Sequence, residues 1–130
     1  MTTKSLRPRD VAEFVRGMFE EDLHARRVAS LADATTGAIR AGTLAIHSIG
    51  HGLAAARGLN SKHSIKQVDR LLSNAGVDPW DLLAQWAPFV IGGRPAIVVA
   101  MDWTDFDSDD HSTIAIHAIT NMGAQRRWCG

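Results

Sequence analysis

The chain has 130 residues, 45% of them apolar and 22% charged, which suits one globular domain with a real core. Fourteen Lys and Arg balance fourteen Asp and Glu, so an overall basic character of the kind that drives nonspecific nucleic-acid binding is excluded. The single cysteine, Cys129, excludes an internal disulfide, and no apolar run approaches the length of a membrane span.

The first eight residues are polar, with no apolar stretch of the kind a secretory signal needs, and the expected location is cytoplasmic. From Pro8 or Arg9, Val11, Phe14, Val15, Met18 and Leu23 recur at helical spacing, which predicts a helix running to about Arg26. Between Val28 and Arg57 small residues dominate. Leu31, Ala34, Ala38, Ala41, Ala45, Ile49 and Leu53 lie near one stripe. The expectation is one or two closely packed helices, broken near Thr35-Thr36-Gly37. Gly58 to Ser61 reads as a loop. Ser64 with Gln67 three residues on has the capping-box pattern, so the next helix is expected to start at Ser64. Asp78-Pro79 marks another helix start, with Leu82, Leu83, Trp86 and Phe89 as its buried face and Gly92-Gly93 as its stop.

Beyond Arg94-Pro95 the pattern changes. Residues 96–102 carry an apolar run ending in Asp102, as expected of a strand buried on both faces that presents a carboxylate at its end. Asp105, Asp107, Asp109 and Asp110 follow as a solvated acidic turn, and residues 113–120 alternate as a second strand, antiparallel to the first. The fold class is therefore α+β. A bundle of four to five helices over residues 1–93 precedes a hairpin over residues 94–130 that begins a sheet.

Three features invite chemical readings. Asp105, Asp107 and Asp109 match the opening of a calcium loop, but its turn glycine is replaced by Asp110 and its closing Glu by Ile116. His47 and His51 are one helical turn apart, as zinc ligands can be. With no third ligand placed, they read as helix-surface histidines. Arg57, Lys62, His63, Lys66 and Arg70 gather positive charge from a loop into a helix, where only Asp69 opposes it. This suits either a phosphate-binding surface or a solvated face.

The stretches IHSIGHGLAAARGLNSKHSIKQVDRLLSNAGVD, WAPFVIGGRPAIVVAMDWTDFD and DDHSTIAIHAIT, spanning about residues 46–120, resemble the N-terminal third of bacterial insertion-sequence transposases of the DDE type, in the family-four group. The second stretch, an apolar strand ending Asp-Trp-Thr, is the most specific. The resemblance implies that the helices bind the transposon's terminal repeats and that the hairpin opens an RNase H-like catalytic domain. It implies that Asp102 is the first carboxylate of a catalytic Mg²⁺ site, and that partners are DNA and either an intact transposase or a second copy. The family continues with a third strand and the remaining Asp and Glu. Here residues 124–130 are basic and lack a strand pattern, so the expectation is a catalytic domain that is begun and left incomplete, without strand cleavage of its own.

Overall fold

The computed structural model describes residues 6–106 and 111–119. The chain is α+β: five helices, then a two-stranded antiparallel hairpin. The helices are α1 (Pro8–Phe19), α2 (Ala25–Ala41), α3 (Ile46–Arg57), α4 (Ser61–Leu72) and α5 (Pro79–Ile91), and the strands are β1 (Val98–Phe106) and β2 (His111–Ile119). Two compact units divide between Trp86 and Ala87, inside α5.

α1 starts where Pro8 fits the first helical position. The Asp10 carboxylate reaches back to accept from the Arg7 backbone N–H at 3.1 Å and from its guanidinium at 3.0 and 2.9 Å. These bonds from the Arg7 side chain and backbone hold the Asp10 carboxyl down at about 2, from an ordinary 3.8. A depressed carboxyl stabilises the fold above its unfolded value and stops doing so as pH falls through its folded value. Asp10→Asn is therefore expected to flatten the stability profile between about pH 4 and pH 2 and leave it unchanged in form above pH 5. Denaturant melts across that range check this.

The first helix ends at Phe19, well short of Arg26. Glu20, Glu21 and Asp22 come next, and negative charge at a helix C-terminus opposes its dipole. Leu23 still enters the core after a turn, donating from its backbone N–H to the Phe19 carbonyl at 3.0 Å. Gly17 lies inside α1 at an exposed position, with nothing within 4 Å of a Cβ built on it. Gly17→Ala is expected to stabilise the helical unit by about 0.5–1 kcal/mol, seen as a melting point raised by a few degrees.

α2 runs straight through Thr35-Thr36-Gly37. Both threonine hydroxyls donate to carbonyls one turn back, those of Leu31 and Ala32, each at 2.8 Å, so neither competes for the helix's own bonds. The stop comes at Gly42, which takes a left-handed conformation at φ 64°, as does Gly58 after α3 at φ 65°. α4 begins a turn earlier than Ser64. Asn60 caps it, its side-chain oxygen accepting from the His63 N–H at 3.2 Å. Ser64 is buried instead, its hydroxyl donating to the Asn60 carbonyl at 3.0 Å.

Two apolar clusters form the helical core, one on each side of α2. Val11, Val15 and Phe19 of α1 meet Val28 and Ala32, with Leu23 between. Ile49 and Leu53 of α3 meet Val68 of α4, with Ala34 and Ala38 of α2 against them. α3 makes the closest approaches. A Cβ at Gly52 would strike the Gly37 carbonyl oxygen of α2, and one at Gly37 would strike the Ile49 carbonyl oxygen of α3. A Cβ at Gly50 would lie 2.6 Å from the Ile65 Cα of α4. The glycines that weaken α3 as an isolated helix are what let it nest between two neighbours.

α5 starts as its sequence predicts: the Asp78 carboxylate accepts from the Trp80 N–H at 2.8 Å, followed by Pro79. Its expected apolar face is not buried. Leu82 packs partly against the first cluster, and Trp86 meets Phe14 edge to face at 6.3 Å, but Leu83, Trp86 and Phe89 stay exposed. In the second unit, Arg94 closes the helix by donating to the Ile91 carbonyl at 2.6 Å, after Gly92 turns at φ 62°.

The hairpin pairs Val98 with Ile119 through to Phe106 with His111. Both strands are shifted from expectation: β1 continues four residues past Asp102, and β2 starts at His111. β1 is also not a strand buried on both faces: Val98, Met101 and Trp103 are all exposed, as are Ile116 and Ile119 opposite. A hairpin of two strands offers no second layer to cover them.

Candidate nucleic-acid interface

On α4, His63, Lys66, Gln67 and Arg70 recur at three- and four-residue spacing and so share one stripe. The buried face of α4, Ser64, Val68 and Leu71, sits beside that stripe and holds it against α2. The facing part of α2 supplies Arg26, Arg27 and Ser30. Together with Leu71 and Asn74 they line a groove of about 620 Å³. Four permanent cations, Arg26, Arg27, Lys66 and Arg70, border it beside His63, and among the described residues no carboxylate does.

The groove draws in residues that the charge pattern did not single out. Arg26 and Arg27 are distant in sequence from the α4 stripe and stand at the start of α2, where their local neighbours are the acids Glu20, Glu21 and Asp22. Only the packing of α2 on α4 brings them to Lys66 and Arg70. Conversely, two selected residues lie outside the groove. Lys62 is exposed in the first turn of α4 but does not line it. Arg57 ends α3 and donates from its guanidinium to Asp33 of α2. The other oxygen of Asp33 accepts from the Gln67 side-chain amide of α4 at 2.7 Å. One carboxylate thus ties α2, α3 and α4 together, and its charge is answered by Arg57.

A separate cavity of about 540 Å³ lies between α1 and α2, with Ala12, Val28, Ala29 and Ala32 as its apolar floor. Its rim mixes Arg16 and Arg57 with Glu20 and Asp33, so it presents no net attraction to an anion.

In the second unit Asp102 stands mid-strand, opposite Ala115, exposed to solvent. Alternation puts it on the face that carries Ala100, Thr104 and, across the ladder, His117 and Thr113. Asp105, expected in the acidic turn, belongs to β1 on the other face. Its carboxylate accepts from the Ser112 hydroxyl at 2.7 Å and the Trp103 indole N–H at 2.6 Å, and these two bonds hold its carboxyl below the ordinary range. Asp107, Asp109 and Asp110 lie outside the described residues. Among the described residues no three His, Cys, Asp or Glu side chains gather as a metal-binding group. Among the described residues Asp102 is a single carboxylate, fewer than a two-metal site takes. His47 and His51 are exposed on α3. No described helix is long and apolar enough to cross a membrane.

Comparison with protein-family models, with curated proteins and with solved structures finds no match to this chain.

Proposed function

We propose that this chain binds DNA through the groove between α2 and α4, as the end-holding part of a DDE transposase of the kind its sequence resembles. One observation carries the reading: Arg26, Arg27, Lys66 and Arg70 converge from two helices on a single concavity that no described carboxylate borders. A neutral chain that concentrates positive charge in this way has a local field the net charge conceals. Phosphodiester oxygens are the anions that a row of arginines and lysines holds most readily, and such contacts fix register on a duplex.

The specific partner of this reading is the transposon's terminal repeats, with an intact transposase or a second copy as protein partner, in a cytoplasmic, nucleoid-associated setting. Asp102 is assigned the place of the first metal-binding aspartate on the resemblance alone. In this reading the part taken by the helical unit is to hold DNA.

Fluorescence anisotropy with a labelled duplex of about 20 base pairs tests the reading. Affinity should fall steeply with salt, each neutralised phosphate adding roughly 0.9 to the logarithmic slope. Binding that ignores salt, or no binding at low salt, overturns it.

A further inference from the structure

Arg27 differs from the other cations of the groove. It is half-buried, whereas Arg26, Lys66 and Arg70 are exposed. Its guanidinium lies against the turn after α4, where a Cβ on Gly76 would overlap it, with Nη1 2.8 Å away. That turn is set by Asn74, whose side-chain oxygen accepts from the Gly76 N–H at 2.9 Å. Yet Arg27 makes no hydrogen bond or ion pair to any described side chain; the ion pairs of the helical unit go to Arg7, Arg9 and Arg57. A guanidinium that gives up solvent normally gains a carboxylate or carbonyl in exchange. Here the guanidinium packs against the turn at Gly76 instead, and the residue lines the groove.

We infer that Arg27, packed against the turn at Gly76, is the fork that grips one phosphate of the bound strand by paired N–H···O bonds, while Lys66 and Arg70 act as point charges around it. The inference rests on the DNA-binding reading and assigns the geometry within it. A planar fork matches two phosphate oxygens at once, which an ammonium cannot do. Gly76 acts through Arg27 and is a positioning residue. Its substitution moves the far end of a flexible side chain and not a backbone, so the fold tolerates it.

The test is a double-mutant cycle on the full chain, read by anisotropy with the same mixed-sequence duplex. Arg27→Lys keeps the charge and loses the fork; binding should weaken roughly tenfold, the scale of one charge-assisted hydrogen bond, with the salt slope unchanged. Gly76→Ala should weaken binding comparably, and the double variant should be no weaker than either single one, because both remove the same interaction. Circular dichroism melts confirm that the variants fold; if Gly76→Ala does not, Arg27→Lys decides alone. Arg27→Lys binding within about twofold of the parent overturns the inference, as does a Gly76→Ala effect that persists undiminished beside Arg27→Lys. If Lys66→Ala and Arg70→Ala still weaken binding in that case, the groove stands and only the fork fails. If no variant alters binding, the groove itself fails and the fork with it.

Discussion

Gly52→Ala should lower the melting point of the helical unit by roughly 10–20 °C, the largest single-residue loss we expect outside the apolar core. The added methyl has nowhere to go. It points at the Gly37 carbonyl oxygen of α2, with the Ala41 N and Cβ at 3.2 and 3.3 Å, and these are backbone or near-backbone atoms that no rotamer change can move. α2 and α3 would have to separate, and Leu53 rides on the same face. Leu53 is fully buried, so separation opens a void around the best-packed side chain of the second cluster. Overpacking of this kind costs about 1–3 kcal/mol, and a helix-wide displacement lies at the upper end. Intrinsic helix propensity argues the other way, since alanine favours α3 by about 1 kcal/mol over glycine. The sign of the measured change therefore decides whether close approach or propensity governs this position. Gly17→Ala, where only propensity acts, is the matching control.

Lys66→Ala with Arg70→Ala should reduce affinity for duplex DNA by one to two orders of magnitude at moderate salt and flatten the logarithmic salt slope by roughly two. Both side chains are exposed and without partners among the described residues, so their removal costs the fold little. The loss would be uniform across DNA sequences, as phosphate contacts carry no base information. Arg57→Ala separates this from a general charge effect. It also removes one positive charge, but it strips Asp33 of its ion pair and leaves the groove's own cations in place. Its expected signature is a lower melting point with a smaller change in DNA affinity.

Much of this architecture is legible in the sequence. Apolar spacing finds α1, Asp78-Pro79 finds the start of α5, and an apolar run followed by an alternating stretch finds the two strands with their antiparallel pairing. What is not legible has a common cause: one residue type serves two purposes, and only tertiary contacts tell which. Gly37 looks like a helix stop and is a helix contact, while Gly42, five residues on, is the stop. Ser64 has the sequence of a cap and is a buried core residue, because Asn60 caps equally well one turn earlier. At the candidate site, the α4 stripe of His63, Lys66 and Arg70 is visible as a local charge run. Its partners Arg26 and Arg27 are hidden, since they stand more than 30 residues before that run and just after three acids, Glu20, Glu21 and Asp22. Arg57 belongs to the same run by sequence, but packing gives it to Asp33.

The hairpin shows a different limit. A five-residue apolar run reads as a buried strand whatever covers it, and the described residues place nothing over β1 in its own unit. Asp102 accordingly sits in the middle of an exposed strand and not at its end. Its functional assignment rests on the resemblance of the surrounding sequence, whereas that of the groove rests on geometry.

DNA binding in the α2–α4 groove is tested most directly by titrating isotopically labelled protein with a short duplex, followed amide by amide by NMR. Shift changes should concentrate on the start of α2, at Arg26, Arg27 and Ser30, and on the groove side of α4 and the turn after it, from His63 to Asn74. Changes that concentrate around Arg16, Asp33 and Arg57, or on the hairpin, with the α2–α4 groove silent, would contradict it.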